Sequence, residues 1–324
     1  MKIITVTENE AGQRLDKLLQ KYLNEAGKGF IYKMLRKKNI TLNGKKADGS
    51  EKLVCNDEVK LFLSDETIEK FSSVQITKAS TNLDIIYEDN NVMILNKPAG
   101  MLSQKAKESD ISMVEYIINY LLDSNQMTKE QLRSFKPSVC NRLDRNTSGI
   151  IVAGKSLLGL QEMSKLLKER TMHKYYYCIV NGQLDKKCHL KGYLVKNEKT
   201  NKVEVQKERR GMDNEQWIET EYTPLATNGK VTLLKVLLIT GRSHQIRAHL
   251  SSIGHSLIGD MKYGNKQAND YFYKTCNINR QMLHSYELEM PKLEGGLSYL
   301  SGKIFIASLP KDFKKLMEKE GLVV

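Results

Sequence analysis

An α+β fold in two unequal parts is the class this 324-residue sequence predicts, and three observations carry that expectation. Short strand patterns and helix patterns intermingle along the chain without an internal repeat, which describes a mixed, largely antiparallel sheet with flanking helices. A polar stretch, SDETIEKFSSVQITKASTN, lacks sustained periodicity and separates a compact N-terminal segment from the rest. Inside that first segment Asn43-Gly44 lies between two strand-like runs, a hairpin signal. The expected boundaries are a small module over 1–64, a linker over 65–82 and a larger domain over 83–324.

In the N-terminal module, GQRLDKLLQKYL predicts a helix with Leu15, Leu18, Leu19 and Tyr22 on one face. A second helix, FIYKMLRKKN, has Ile31, Met34 and Leu35 as its buried stripe. ITLNGKKA turns at Asn43-Gly44, and DEVKLFL is a closing strand. Seven basic residues and no acidic one lie between Lys28 and Lys46. Lys33, Arg36 and Lys37 share a helix face by their spacing, with Lys38 beside them. Such a run is either a solvated face or a phosphate-contacting one; the absence of acids favours phosphate.

Beyond the linker, DIIYEDNNVMILNKPAG gives two strands around Asn90-Asn91, ending at the Lys97-Pro98 turn. Ser112 and Glu115 form a capping-box pattern opening a helix to about Leu122, and Thr128 with Gln131 repeats the signal. GIIVAG is a buried strand and LLGLQEMSKLLKER a helix. KYYYCIV and KVTLLKVLLIT are strands, and HQIRAHLSSI is a helix.

Lys and Arg number 51 against 38 Asp and Glu, a formal charge of +13. That excess favours a polyanionic partner, nucleic acid or an anionic membrane surface, although a merely basic protein has the same composition. No apolar run approaches the roughly 18–20 residues of a membrane span, and MKIITVTENE does not read as a signal peptide. Five cysteines without a CxxC pair point to reduced thiols and a cytoplasmic setting. His244 and His249 lie five apart, off-register for two ligands on one helical face, so no metal site is expected.

Three stretches could carry chemistry. In CNRLDRNTSG, Asp144 lies between Arg142 and Arg145 and before Asn146, Thr147, Ser148 and Gly149, residues that favour tight turns. An adjacent guanidinium favours the charged form of a carboxylate, whether for a surface salt bridge or for chemistry. In TGRSHQIRAHL, a helix starting near Ser243 would set Ile246, Leu250 and Ile253 inward. It would gather Arg242, His244 and Arg247 near its positive end, a core helix with peripheral charges or an anion site. The following GHSLIGDMKYG is loop-forming, with His255 and Asp260 as further polar groups. In HKYYYCIVNG, a strand points Lys174, Tyr176, Cys178 and Val180 one way and Tyr175, Tyr177 and Ile179 the other. A tyrosine there is a core residue, or one that stacks on a base.

Taken together, NKPAG (96–100), NRLDRNTSG (141–149), the Lys174-x-Tyr176 strand, TGRSHQIRAHL (240–250), GHSLIGDMKYG (254–264) and LHS (283–285) resemble the RluA-like family of ribosomal large-subunit RNA pseudouridine synthases. The likeness spans about residues 12–310. Its first part, RLDKLLQKYL and FIYKMLRKKNITLNGKKA, resembles the S4 RNA-binding domain. The resemblance implies a catalytic domain with a central cleft and no cofactor. It assigns Asp144 as the catalytic aspartate, Tyr176 as the tyrosine that stacks on the target base and Arg247 as the ion-pair partner of the aspartate. Arg142 would fill the space left by the extruded uridine, with Arg145, Arg242 and His244 as further RNA contacts. Lys33, Arg36, Lys37 and Lys38 would touch RNA backbone from the S4 domain. Three positions depart from the family pattern. Asn141 and Asn146 replace the usual His and Asp around Arg-Leu-Asp-Arg, and Ser256 stands where Pro is usual.

The implied reaction breaks the N1–C1′ bond of a uridine extruded from stacked RNA, rotates the uracil and joins C5 to C1′. Asp144 would attack covalently or assist deprotonation at the ribose. The implied partner is RNA, 23S ribosomal RNA foremost, in pre-ribosomal particles or free, with transfer RNA open. No membrane and no obligate protein partner is implied, and a monomer is expected. Two rivals predict other outcomes: a non-catalytic RNA-binding or ribosome-assembly factor retaining the fold, and a nuclease or glycosylase using Asp144 and His244.

Overall fold

The computed structural model describes residues 1–196, 202–211 and 214–323. Its N-terminal part contains β1 (Lys2–Thr5), α1 (Leu15–Tyr22), α2 (Lys28–Arg36), β2 (Ile40–Leu42), β3 (Lys45–Lys46), β4 (Glu58–Leu61) and α3 (Asp65–Phe71). The strands form an antiparallel sheet in the order β1-β4-β2-β3. Leu15, Leu18, Leu19 and Tyr22 from α1 meet Ile31, Met34 and Leu35 from α2 in one buried cluster, because three- and four-residue spacing puts each set on one helix face. The hairpin turns through Asn43 and Gly44, both at positive φ (51° and 73°), as a two-residue turn matched to strand twist requires.

The stretch expected to be a linker begins instead with α3. Ser64 caps it by accepting the Thr67 N–H at 3.2 Å. Ile68 is buried in the N-terminal cluster, and the Phe71 ring lies 4.5 Å from that of Phe30. Two apolar residues three apart are too few to register as a periodic signal, yet enough to hold this short helix against a preformed core. Residues 72–84 have neither helix nor strand.

The second part comprises β5 (Ile85–Glu88), β6 (Val92–Lys97), α4 (Met113–Asp123), α5 (Gln131–Ser134), β7 (Ser138–Val139), β8 (Ser148–Gly154), α6 (Leu157–Glu169) and β9 (His173–Asn181). It continues with β10 (Cys188–Lys196), β11 (Val203–Gln206), β12 (Gln216–Thr227), β13 (Val231–Leu238), α7 (Gln245–Ser252), α8 (Lys266–Cys276), β14 (Leu283–Glu289), β15 (Ile304–Ile306) and α9 (Lys311–Lys319). One sheet runs β11-β10-β12-β13-β9-β14-β8-β6-β5, with β15 added to β14 and β7 to β8. Among the described residues its only parallel pairing is β14 with β8, so the sheet is mixed and largely antiparallel. The Ser112–Glu115 capping box at the start of α4 is present, with the Ser112 N–H and hydroxyl both donating to Glu115. No helix among the described residues is long and apolar enough to cross a membrane.

The two parts touch through few contacts. The Ser134 hydroxyl donates to Glu10 at 2.7 Å, the Leu157 N–H donates to Asn9 at 3.0 Å, and Tyr22 donates to Glu130. A cavity of about 430 Å³ lies between them, lined by Lys21, residues 72–77 and Phe135 among others, and it contains none of the chemistry-bearing motifs.

Candidate active site

At the centre of the large sheet β8, β14 and β9 lie side by side, so the loop before β8 reaches the face that carries Tyr176. Tyr176, Cys178 and Val180 share a buried cluster with Leu143, Ile246 and Leu283, while Ile179 belongs to another on the opposite side. Strand alternation therefore does place Tyr176 over the loop. Leu143 sinks into this cluster and leaves its neighbours Arg142 and Asp144 at the rim of a cleft of about 1170 Å³.

The loop is fastened from two sides. On one side residues 96–103, NKPAG and the three residues after it, hold it. The Ser103 hydroxyl donates to the Leu143 carbonyl and accepts its N–H, both at 3.0 Å. The Gly100 N–H donates to the Arg145 carbonyl at 2.8 Å, and Arg145 Nε returns a bond to the Gly100 carbonyl at 3.0 Å. Lys97, fully buried, donates to the carbonyls of Pro98, Met101 and Arg145, and burial drives its pKa down to about 7 against the pull of Asp144. On the other side β14 and the residues just before it hold the Asn-Thr-Ser-Gly turn. Gln281 donates to Thr147, and Arg280 to the Asn146 carbonyl. At Gly149 (φ 108°) an added Cβ would overlap the Ser285 carbonyl, so only glycine fits.

Asp144 does not bond to either neighbouring arginine. Its partner is Arg247, whose Nη1 donates to Asp144 Oδ2 at 2.8 Å from 103 residues away. The same guanidinium is gripped from behind by Asp260, Nε to Oδ2 at 2.7 Å and Nη2 to Oδ1 at 2.9 Å. Asp260 is fully buried, Arg247 is 9% exposed and Asp144 27%. Burial alone would weaken the Arg247 charge, but Asp260 and then Asp144 outweigh it and hold the pKa above the ordinary value. Burial likewise opposes the Asp260 charge, and Arg247 with the Lys262 and Tyr263 N–H groups overcomes it, leaving its pKa lowered.

The helix carrying Arg247 starts two residues later than its spacing suggests. His244 sits before it at φ 56°, and Gln245 closes the helix start by accepting from Thr240 and from the Arg242 N–H. Ile253 falls past the helix end and is partly exposed, so Ile246 and Leu250 alone form the apolar stripe, with Arg247 buried beside them. His244 Nδ1 meets the Tyr263 hydroxyl at 2.9 Å, and its Nε2 is 3.8 Å from Asp144. Burial lowers the His244 pKa, so near neutral pH this is a neutral imidazole beyond hydrogen-bond reach of the carboxylate.

Asp144, Tyr176, Arg247, Arg142, Arg145, Arg242 and His244 all line the one cleft. Lys33, Arg36, Lys37 and Lys38 are exposed on the N-terminal part and line no part of it. Asp260, in sequence one of two further polar groups of a loop, and Lys97, in sequence part of a turn, are both buried supports of the site. For Asp260 the only signal is its position in a glycine-punctuated loop, and its bidentate grip depends on tertiary packing. The departures have local work: Asn141 accepts the Val152 N–H at 2.7 Å, and Ser256 accepts that of Asn265 at 3.1 Å.

The family model described as RNA pseudouridylate synthase matches residues 91–252, which contain Asp144, Tyr176 and Arg247. The chain belongs to this family. It is an RNA pseudouridine synthase, an isomerase acting on RNA. Ribosomal large subunit pseudouridine synthase C of Vibrio cholerae serotype O1 is 30% identical over 295 residues, covering 89% of this chain and 88% of that one. An uncharacterized RNA pseudouridine synthase of Mycoplasma capricolum is 28% identical over 309 residues, covering 93% and 95%. The solved structure of human RNA pseudouridylate synthase domain containing 4 shares the fold, with a TM-score of 0.58 and 21% identity over 73% of this chain and 92% of that one.

The synthase supports its loop with a histidine that must stay neutral. His284 Nδ1 lies 2.9 Å from the Ser148 hydroxyl and Nε2 3.2 Å from the Ala307 carbonyl, so Nε2 carries the proton and Ser148 donates to Nδ1. Burial lowers the pKa of His284 to about 4, and that of His249 to about 4. Between about 6.5 and 4 the unfolded chain binds protons that the folded one refuses, so stability falls as pH drops through this window. Each imidazole removes up to ~1.4 kcal/mol per pH unit there. Urea unfolding at pH 7 and pH 5 should show a smaller stability change for His284→Gln than for the wild type; equal changes would refute the assignment.

Proposed function

We propose that this synthase isomerises uridines of 23S ribosomal RNA, with Asp144 as the catalytic carboxylate. The observation that carries the reading is that, among the described residues lining the cleft, Asp144 is the single carboxylate, oriented by Arg247 on the same lining as Tyr176. The names of the matched relatives as ribosomal large subunit synthases support the choice of RNA. In this reading Tyr176 lies against the extruded uracil. Burial and then the nearby Asp144 charge push its phenol up to about 12, so at neutral pH it meets the base as a neutral hydrogen-bond donor. Arg142, exposed at the rim, occupies the vacated position in the RNA, and Arg145, Arg242 and His244 contact its backbone. Extrusion costs a few kcal/mol, which phosphate contacts offset.

Asp144 attacks the sugar or base, or assists deprotonation at the ribose, as the N1–C1′ bond breaks. Joining C5 to C1′ then releases the C5 hydrogen as a proton while N1 gains one. Residues 1–64 act as an S4-like RNA-binding domain, to whose core α3 is added, and the rest of 65–82 connects it to the catalytic domain over 83–324. The exposed Lys33, Arg36, Lys37 and Lys38 are its phosphate contacts. The enzyme works as a cytoplasmic monomer without a cofactor, on free RNA or pre-ribosomal particles.

Tritium release from 23S ribosomal RNA labelled at uridine C5 should be lost in Asp144→Asn, by a factor of at least about 10³. Equal release from wild type and variant would sink the assignment, and a wild type that binds RNA without release would favour a non-catalytic factor. Replacing Arg36, Lys37 and Lys38 together by Ala should weaken RNA binding and flatten its salt dependence by up to ~2 in log–log slope. Unchanged affinity at every salt concentration would rule out the S4 role.

A further inference from the structure

Among the described residues, the cleft lining carries three lysines and five arginines against the one carboxylate of Asp144. Asp144 is already engaged by Arg247. The side chains of Arg142, Lys168, Arg170, Lys174 and Arg242 have no hydrogen-bond or ion-pair partner among the described residues. Most of these extend into water, where an unpaired cation costs little. Lys174 does not. It is half-buried on β9, two residues before Tyr176, and its Nζ lies 3.6 Å from where a Cβ on Gly241 would stand. The ammonium is therefore tucked against the turn that leads into α7. Burial, and next the charge of Arg170, hold its pKa below the ordinary lysine value.

Arg170 closes α6 in the left-handed conformation (φ 61°, ψ 31°), a position where glycine or asparagine is the cheaper choice. A desolvated cation facing a second cation is unfavourable until an anion arrives, and the described residues lining the cleft supply none at this wall. Lys174 and Tyr176 are alternate residues on one strand face, about 7 Å apart. That is close enough for one nucleotide to lay its base on the tyrosine while an adjoining phosphate reaches the lysine.

We propose that Lys174, Arg170 and Arg242 form a phosphodiester subsite of the cleft, which receives a backbone phosphate of the RNA next to the nucleotide held at Tyr176. The proposal rests on the reading of Asp144 as the catalytic centre, and it adds the groups that hold the chain on which the target base turns. Lys174 and Arg170 act in binding, and the chemical step stays with Asp144.

The test pairs binding with chemistry on the full-length protein. RNA affinity is measured from about 50 to about 300 mM KCl with a 23S ribosomal RNA transcript, and single-turnover tritium release is measured at saturating RNA. Lys174→Gln and Arg170→Gln should each weaken binding several-fold and lower the log–log salt slope by about 0.7–0.9. The saturating rate should stay within about threefold, and Lys174→Arg should restore the slope. Unchanged slopes in both Gln variants, or a fallen saturating rate at an unchanged slope, would overturn the proposal. Because Arg170 is exposed, its variant carries the test even where Lys174→Gln fails to fold. Asp144→Asn run alongside should keep the wild-type slope and lose release. Release by that variant would reject the catalytic reading while leaving the phosphate measurement to stand or fall by itself.

Discussion

A single guanidinium shared between two carboxylates organises this enzyme. Arg247 is almost fully buried, a position no arginine occupies without compensation. Asp260 supplies it through two hydrogen bonds at Nε and Nη2 and fixes the plane of the group. Nη1 is then left pointing at Asp144, the less buried of the two carboxylates. One acid serves orientation and is sealed from water; the other keeps an exposed edge in the cleft. Removing Asp260 would leave Arg247 charged, buried and free to turn.

The rest of the fold brings these groups together across long stretches of chain. The loop with Asp144 enters β8, Tyr176 stands on β9, and β14 lies between them in the sheet. The Gly254–Gly264 loop is stitched to the end of β9 by Asn181 to Ser256 and Ile258 to Ile179 hydrogen bonds, and this places Asp260 beneath α7. From the other direction NKPAG and the residues just after it clasp the loop through Lys97, Gly100 and Ser103. Most of these bonds end on backbone carbonyls or N–H groups, so they constrain where the loop lies while leaving its side chains to the cleft.

The elements with a strong local signal were legible in the sequence. The two N-terminal helices, the Asn43-Gly44 hairpin, the Ser112 capping box and the alternation that sends Tyr176 and Tyr177 to opposite sides all follow from spacing within a dozen residues. The helix over Asp65–Phe71 was hidden because its anchors, Ile68 and Phe71, gain meaning only against the core formed by α1 and α2. The late start of α7 was hidden too, since His244 takes a left-handed conformation that histidine rarely adopts. At the site, the local view made Arg142 and Arg145 equal candidates to pair with Asp144. The family resemblance pointed to Arg247 instead, and the geometry brings that pair together. Asp260 and Lys97 became visible only in three dimensions, where burial turns a loop acid and a turn lysine into supports of the cleft.

If Asp260 acts only by orienting Arg247, the two residues must fail together. Single-turnover rates at saturating RNA for Asp260→Asn, Arg247→Lys and the double variant form the direct measurement. The double variant should be about as slow as Arg247→Lys alone, because no oriented guanidinium remains for the second change to disturb. A double variant slowed by the product of the two single factors would mean that Asp260 and Arg247 contribute independently, and would contradict it.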